Sequence, residues 1–345
     1  MNAPAASVAL LRETATVERV GARAVDRIAQ VHALLGEDMS VVEGELARLV
    51  REGPSPATDS AAHLLEAGGK RVRPLTVLLA AACFGPVPAV ARDLAVVSEL
   101  IHLATLLHDD VIDDGQERRG REAPRRLWGN AVSVLAGDLL LTHALERTAA
   151  AGTPAVLADL FATLRRLVDG EVVQLRGRRR LDVREDVYFR VVQDKTASLF
   201  VWAASAGASV AGASVEAARA LGEFGAHVGV AFQLVDDVLD YDGDPRVTGK
   251  ALLADLGEGK LTLPLIRALA SRPSLSIDVD AARAGDGSAA VRLAQAVCGS
   301  GACGSVRALA QEETARALAA LDRVPAGSAR ELLAGIAREL ASRAG

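Results

Sequence analysis

The sequence predicts an all-α protein, and three observations support this prediction. Apolar residues recur at helical spacing in almost every segment between turns, as in residues 17–35 and 40–50. Alternating patterns with the β-branched and aromatic enrichment of strands are hard to find. Alanine, leucine, arginine and glutamate dominate the composition, and this mixture favours helices. We therefore expect an all-α protein of about a dozen helices.

Turn signals divide the chain into segments of helical length. They lie at residues 51–56, 66–74, 84–88, 120–124, 150–154, 176–180, 242–250 and 256–260. No shift in composition marks a boundary before about residue 270, so residues 1–345 are predicted to form a single domain. Residues 1–16 are expected to be disordered, and the polar, Gly-rich stretch 271–290 is expected to be a mobile connector.

Composition argues against several classes of protein. A net charge of −5 and a pI of about 5.8 do not fit a general nucleic-acid binder, and 3% aromatic residues do not fit a base-stacking surface. Three cysteines in a chain of this size do not make a disulfide framework, so we expect a reducing cytoplasm. Cys298 and Cys303 are not predicted to form a metal or redox pair, because no further Cys or His lies near enough in the sequence to complete a site. We find neither a signal-peptide pattern nor an apolar run long enough to span a membrane.

Two acidic clusters occur in similar apolar settings, "LLHDDVIDD" and "QLVDDVLDYD". Their members are Asp109, Asp110 and Asp113 in the first cluster, and Asp236, Asp237 and Asp240 in the second. In each cluster the first and last members stand at i and i+4, so they share a helix face. Like charges at this spacing cost an isolated helix about 0.2–0.5 kcal/mol, and more when water is excluded. Carboxylate-only ligands select hard cations, so the pattern predicts Mg²⁺ bound together with a polyphosphate.

Phosphate groups also need cationic partners, and basic residues lie near both clusters in the sequence. They are Lys70, Arg71 and Arg73 in "GGKRVRP", Arg118 and Arg119 in "ERRG", Lys195 in "QDKTA", Lys250 in "TGK" and Lys260 in "GEGK". One surface Lys or Arg is usually just solvated, but together they supply the complement that an acidic, Mg²⁺-loaded anion site requires.

These motifs resemble the trans-isoprenyl diphosphate synthases, also called polyprenyl synthetases, and most of all the bacterial medium- and long-chain members. The resemblance runs from about residue 68 to 265 and joins "GGKRVRP", "ELIHLATLLHDDVIDD", "LAGDLLL", "GEVVQL", "DKTASLF", "AFQLVDDVLDY" and "EGKLTLP" in the family's order. It implies an all-α bundle around a deep central cavity, usually dimeric. The implied activity is a Mg²⁺-dependent prenyl transfer that condenses isopentenyl diphosphate head to tail with an allylic diphosphate primer.

The resemblance also implies a role for each site residue. Metal binding by several Mg²⁺ ions, with Mn²⁺ as a substitute, falls to Asp109, Asp110, Asp113, Asp236, Asp237 and Asp240. The catalytic residues would be Lys195 together with these aspartates other than Asp240. Isopentenyl diphosphate would contact Lys70, Arg73, His102 and Arg119, with Arg71 nearby. The allylic substrate would contact Arg118, Lys195, Thr196, Gln233, Lys250 and Lys260, with Gln174 beside it.

The sequence also bears on the length of the product, and it departs from the family pattern at one place. Ala104 and Thr105 lie one turn before the first cluster and are small. In the family, small residues here leave the cavity open, which favours a medium- or long-chain product such as a quinone side chain. Leu253 and Ala254 stand where the family commonly has a glycine and an aspartate, which leaves the contribution of that loop open.

Several alternatives stay open or are disfavoured. A short-chain (farnesyl or geranylgeranyl) diphosphate synthase and a regulatory subunit of a heteromeric synthase stay open. An HD-type phosphohydrolase would need further His ligands, and a class I terpene cyclase would carry a different second metal motif. The expected partners are the two diphosphate substrates, a second copy in a homodimer, and a peripheral membrane contact for product release. Nucleic acid is not an expected partner.

Overall fold

The computed structural model describes residues 22–178, 182–243 and 252–342. Its helices are α1 (Ala22–Leu49), α2 (Ala57–Glu66), α3 (Val72–Ala82), α4 (Ala89–Ile112), α5 (Pro124–Ala150), α6 (Pro154–Arg178), α7 (Glu185–Val191), α8 (Ser198–Val210), α9 (Val215–Asp242), α10 (Ala254–Gly257), α11 (Leu263–Ser271), α12 (Ser276–Arg283), α13 (Gly287–Gly299), α14 (Ala302–Ala320) and α15 (Ser328–Ser342). The predicted all-α class is confirmed. The described residues contain one sheet, a hairpin of β1 (Glu117–Arg118) and β2 (Arg121–Glu122).

Three short segments complete the described secondary structure. A π-helical turn, Val192–Ala197, joins α7 to α8, and 3-10 turns lie at Pro273–Leu275 and Leu321–Arg323. No described helix combines the length and the apolarity needed to cross a bilayer. Residues 1–16, for which disorder is predicted, lie outside the described part of the chain.

The chain divides into two compact units. Unit 1 comprises residues 1–159, 203–222 and 322–335, and unit 2 comprises residues 160–202, 223–321 and 336–345. The chain passes between the units several times, so neither is a continuous segment. The single domain predicted from composition stays a prediction.

Unit 1 is organised around α4, which packs against α3 and α5. Leu100, Ile101, Leu103 and Leu107 of α4 are fully buried, and buried residues lie on most sides of the helix. A helix that is apolar nearly all round must lie inside the protein, which places its last turn against surrounding elements. The burial of α4 fixes the position of the first aspartate cluster, which lies at the C-terminal end of this helix.

Unit 2 has its core among α9, α11, α12, α13 and α14. The fully buried side chains there include Leu234 and Val238 of α9, Leu263 of α11 and Val297 of α13. Asp286 caps α13 by accepting hydrogen bonds from the backbone N–H groups of residues 288 and 289 at 2.8 and 3.1 Å. The stretch 271–290 therefore contains a 3-10 turn, α12 and the capped start of α13, and its predicted mobility stays a prediction.

Candidate active site

The first aspartate cluster lies at the C-terminal end of α4 in unit 1. Asp110 is fully buried and accepts a hydrogen bond from Nε of Arg118 at 2.9 Å. Asp109 and Asp113 are half-buried, and the backbone N–H of Asp113 continues the helix to the carbonyl of Asp109 at 2.8 Å. A helix C-terminus carries partial negative charge, which disfavours each added carboxylate by about 0.3–1 kcal/mol. A cation bound at this helix end would offset the repulsion between the carboxylates and the partial negative charge of the helix C-terminus.

Arg71 is committed to two carboxylates within unit 1. Its Nε donates to Glu43 at 2.8 Å, and its Nη1 donates to Glu99 at 2.9 Å. Glu99 has 2% of its side chain exposed, and Arg71 has 9% exposed. Burial opposes the charge on Arg71, but Glu99 and Glu43 outweigh burial and raise its pKa. The contact with substrate predicted for Arg71 stays a prediction, whereas its role in holding Glu99 is visible in the structure.

Gly69 brings two guanidinium groups close together. A Cβ at this position would lie 2.7 Å from Nη1 of Arg71 and 2.9 Å from Nη1 of Arg119. Both arginines adopt left-handed backbone conformations, with φ of 49° and 54°, which are uncommon for residues with a side chain. A side chain at position 69 would require both guanidinium groups to shift, so glycine leaves room for them here.

His102 faces a group of arginines in unit 1. Removal of the ring from water lowers the pKa of His102 well below its usual value, and Arg73, Arg119, Arg71 and Arg118 lower it further. The imidazole is therefore neutral near pH 7, with one nitrogen available as a donor and the other as an acceptor.

Arg73 and Lys70 complete the predicted diphosphate site in unit 1. Burial lowers the pKa of Arg73 to about 10, and Glu99 opposes this effect, so the guanidinium keeps its charge at neutral pH. Lys70 is exposed at the end of the Gly-Gly turn. The structure thus places Lys70, Arg71, Arg73, His102 and Arg119 in the same unit, as the sequence predicted them to act together.

The predicted chain-length residues lie on α4 between His102 and the first aspartate cluster. Ala104 is 3% exposed, and the Thr105 hydroxyl donates to the carbonyl of His102 at 2.8 Å. This bond within the helix satisfies the hydroxyl, so Thr105 can face apolar surroundings at little cost. Leu100 and Ile101 are fully buried one turn earlier.

The second aspartate cluster lies near the C-terminal end of α9 in unit 2. Asp237 is 1% exposed and accepts hydrogen bonds from the Tyr188 hydroxyl at 2.6 Å and from Nε2 of Gln233 at 2.8 Å. The Gln233 carbonyl accepts in turn from the Thr196 hydroxyl at 2.9 Å. Burial, then the charge of Asp255, raises the pKa of Asp237 to about 8. A cation bound next to this carboxyl group would favour its ionised form and lower its pKa.

Asp240 has a structural contact that the sequence did not predict. Its carboxylate accepts from the backbone N–H of Ala254 at 2.9 Å and of Asp255 at 3.4 Å, and its carbonyl accepts from the N–H of Leu253 at 3.0 Å. Leu253 has a left-handed φ of 57° and is 4% exposed. This backbone conformation favours glycine, the residue that the family resemblance implies at this position. Asp240 holds the loop in which the sequence departs from the family.

Lys195 lies in the π-helical turn of unit 2. Its Nζ donates to the side-chain carbonyl of Gln174 at 3.0 Å and pairs closely with Glu171. A Cβ on Gly170 would lie 2.9 Å from the backbone nitrogen of Lys195, so a glycine allows α6 to approach this turn. Single π-helical turns occur often at functional sites. Lys195 and Gln174, both predicted at the allylic substrate, are in contact with each other, and their roles toward that substrate stay predictions.

The contacts of the remaining predicted residues do not indicate a role in the site. Lys260 pairs with Glu258 at 2.5 Å, and its backbone N–H donates to the carbonyl of Asp255 at 2.8 Å. Lys250 lies outside the described residues. Phe200 is 1% exposed and packs against Phe232 with ring centroids 6.1 Å apart, as core residues do.

Four residues beside the predicted site were missed by sequence reasoning. They are Glu43, Glu99, Glu171 and Tyr188. Glu99 had a weak signal, a lone acid in the apolar run "SELIHLATLL". Glu171 stands in "GEVVQL", one of the motifs of the resemblance, but neither it nor Glu43 nor Tyr188 carries a local signal for its distant partner.

The all-α fold, the two aspartate clusters and the arginines near His102 are features expected of a prenyltransferase of the isoprenyl diphosphate synthase class. Residues 55–296 match the family model of the polyprenyl synthetases. The chain therefore belongs to the polyprenyl synthetase family, and the family resemblance predicted from the motifs is confirmed.

Individual relatives agree with this assignment. The chain is 35% identical over 311 residues to an octaprenyl diphosphate synthase of Escherichia coli (strain K12), covering 89% of this chain and 96% of that protein. It is 36% identical over 324 residues to a heptaprenyl diphosphate synthase component 2 of Geobacillus stearothermophilus, covering 92% and 99%. A polyprenyl synthase from Caulobacter crescentus CB15, crystallised with calcium and isoprenyl diphosphate, matches with a TM-score of 0.86 at 38% identity, covering 92% of this chain and 98% of that one.

Proposed function

We propose that this protein is a Mg²⁺-dependent polyprenyl diphosphate synthase that condenses isopentenyl diphosphate head to tail onto an allylic diphosphate primer. One observation carries the proposal. On α4, a neutral His102 among arginines is followed two turns later by the aspartates of the first cluster. Arginines bind a diphosphate, and carboxylates bind the cation that accompanies a second diphosphate. Anion and cation sites on one helix suit a reaction between two diphosphates.

Isopentenyl diphosphate is proposed to bind to the basic group of unit 1. Lys70, Arg73 and Arg119 would contact its phosphates, and neutral His102 would donate one hydrogen bond without adding charge. Glu99 and Glu43 hold Arg71 beside this group at 2.9 and 2.8 Å. Arg71 would therefore position its neighbours more than it contacts the phosphates.

The aspartates of both clusters have the donor chemistry that Mg²⁺ prefers. They offer carboxylate oxygen ligands, and their placement at helix C-termini leaves a charge deficit for a cation to fill. We propose that Asp109, Asp113 and Asp236 hold Mg²⁺, with Mn²⁺ as a substitute, and that buried Asp110, Asp237 and Asp240 support them. Bound Mg²⁺ would supply Lewis-acid stabilisation of the departing pyrophosphate. The calcium in the Caulobacter crescentus structure is a hard cation of the same kind.

The chemistry requires no protein nucleophile. The allylic C–O bond breaks, pyrophosphate leaves with the bonding electrons, and the double bond of isopentenyl diphosphate attacks the allylic carbon. A proton is then lost, for which the departing pyrophosphate is a suitable acceptor. Lys195, oriented by Gln174, would stabilise the charge that develops on the leaving group, and the same role is proposed for Arg118, Lys250 and Lys260. Thr196 and Gln233 would orient the allylic substrate.

The product is proposed to be of medium or long chain. Ala104 is small and buried, and Thr105 satisfies its own hydroxyl, so neither blocks an apolar chain. The relatives named above are octaprenyl and heptaprenyl diphosphate synthases. A short-chain product is the alternative that the assay below distinguishes.

The active form is proposed to be a cytoplasmic homodimer, with peripheral membrane contact only for release of product. Supporting the dimer, α6 exposes Phe161, Val168, Val172 and Leu175 at spacings of seven, four and three residues. These spacings place them along one helix face, which an identical copy could cover. The Geobacillus stearothermophilus relative is called component 2, so the alternative is an active form that needs a different partner chain. Measuring the mass of the purified protein in solution distinguishes the two: a homodimer has twice the mass of one chain.

The decisive experiment is incubation with isopentenyl diphosphate, Mg²⁺ and allylic primers of several lengths, followed by chromatography of the dephosphorylated products. Elongation that stops when Mg²⁺ is chelated would support the proposal. No elongation with any primer would refute it, and a product that ends at fifteen carbons would refute the open-cavity argument. Asp109→Ala should abolish turnover while circular dichroism shows an intact fold.

A further inference from the structure

Three metal-ligating side chains meet in unit 2, apart from the aspartates proposed to bind Mg²⁺. The Sγ atoms of Cys298 and Cys303 lie 3.4 Å apart, and a carboxylate oxygen of Asp242 completes a group within 4.8 Å. Asp242 is the last residue of α9, whereas the cysteines flank the junction of α13 and α14. The sequence did not predict this group, because its third ligand comes from a distant part of the chain.

The turn between α13 and α14 fixes the two thiols. Gly301 has a left-handed φ of 83°, and its N–H donates to the carbonyl of Cys298 at 3.1 Å. The Ser300 hydroxyl accepts from the N–H of Ala302 at 3.3 Å. Cys303 is 3% exposed within the core of unit 2, and Cys298 is half-buried beside it. The two sulfurs are therefore held together by backbone structure and not by a flexible surface loop.

The separation of the sulfurs suits a soft divalent metal. Two thiolates bound at about 2.3 Å to a tetrahedral ion lie about 3.8 Å apart, so binding needs a shift of about 0.4 Å. A disulfide needs about 2.05 Å between the sulfurs, which is a displacement of more than an ångström. A thiophilic metal binds the thiolate form of cysteine and displaces the thiol proton.

The charges around the group balance when a divalent ion is bound. Two thiolates and one carboxylate carry three negative charges, and a divalent cation leaves one of them. Arg307 lies 2.5 Å from Oδ2 of Asp242 and supplies the remaining positive charge. The side chains of Asp242 and Arg307 are 27% and 32% exposed, so a fourth ligand from water can reach the ion.

We propose that Asp242, Cys298 and Cys303 bind one thiophilic divalent cation of the Zn²⁺ class, with water as the fourth ligand. The ion would join the end of α9 to the junction of α13 and α14, and so brace the helix that carries the second aspartate cluster. This site does not depend on the proposed synthase activity.

The test uses the full-length reduced protein in excess Mg²⁺, which occupies hard-cation sites, and titrates it with Co²⁺. We expect a thiolate-to-cobalt charge-transfer band that saturates at one ion per chain. Zn²⁺ should abolish the band, because it binds such sites more tightly than Co²⁺. Zn²⁺ should also raise the thermal unfolding midpoint, because it binds the folded state.

Variants assign the ligands. Cys298→Ser and Cys303→Ser should lose the band, and Asp242→Asn should weaken binding by roughly tenfold or more. Cys83→Ser is the matched control, because Cys83 lies in unit 1, and it should keep the full band. The absence of a band, or its survival in both Cys298→Ser and Cys303→Ser, would overturn the proposal.

A second measurement covers a variant that fails to fold. In the wild-type protein, Zn²⁺ should slow alkylation of Cys298 at least tenfold and leave the rate at Cys83 unchanged. A disulfide between Cys298 and Cys303 that forms in oxidised glutathione equally fast with and without Zn²⁺ would show a redox pair, and would also overturn the metal site.

Discussion

Neutralising Glu99 tests whether the arginine group of unit 1 depends on one buried carboxylate. Glu99 is 2% exposed and accepts from Arg71 at 2.9 Å, and it supports the charge of Arg73 and Arg119. Breaking a buried ion pair by removing one partner costs about 3–5 kcal/mol. In Glu99→Gln the amide keeps one acceptor and Arg71 keeps Glu43, so we expect a loss of about 2–4 kcal/mol.

Urea unfolding followed by circular dichroism measures this loss as a shift of the midpoint at constant slope. Glu66→Gln is the matched control. Glu66 is 53% exposed and pairs with Arg51 on the surface at 2.5 Å, so its neutralisation should cost about 0–1 kcal/mol. If the two variants lose equal stability, Glu99 does not organise the arginines, and the interpretation of this cluster is wrong. A larger loss in Glu99→Gln should be accompanied by a higher KM for isopentenyl diphosphate.

Three further predictions concern other parts of the site. Ala104→Phe should shorten the product, because an aromatic ring on α4 fills the space of a growing chain; an unchanged product length in the primer assay would contradict this. The pKa of folded His102 is lowered, so the unfolded chain binds the proton first and the wild-type protein loses stability as the pH falls from about 7 to 5. His102→Gln should lose less stability over this range. If urea unfolding shows the same loss from pH 7 to pH 5 in both proteins, the prediction is wrong. Leu253→Gly should relieve about 1–2 kcal/mol of backbone strain but lose about 2–5 kcal/mol of side-chain burial, so urea unfolding should show a net destabilisation of about 0–4 kcal/mol; a gain in stability would refute the estimate.

Helical periodicity predicted the fold class, and residue spacing predicted which aspartates belong together. Both are local properties, since residues at i and i+4 must share a face once a helix forms. The roles predicted for the basic residues near the clusters stay predictions, and the structure adds that Lys195 donates a hydrogen bond to Gln174.

The contacts that sequence reasoning missed join residues far apart in the chain. Glu43 reaches Arg71, Tyr188 reaches Asp237, and Asp242 reaches the cysteine pair only after the helices have packed. No local pattern specifies such a pairing, because each partner alone is an ordinary polar residue. Asp240 illustrates the same limit, since its spacing predicted a metal ligand and the structure reveals a second use in holding residues 253–255.

The leucine at position 253 is tolerated because of the contact that its backbone makes with Asp240. A leucine in a backbone conformation that suits glycine persists because its buried side chain and the bond to Asp240 compensate for the strain. Replacing Leu253 by the glycine that the resemblance implies would relieve backbone strain but remove a buried side chain from the core. Evolution back to the common sequence is thereby hindered, and consensus-based engineering of this enzyme should leave position 253 as it is.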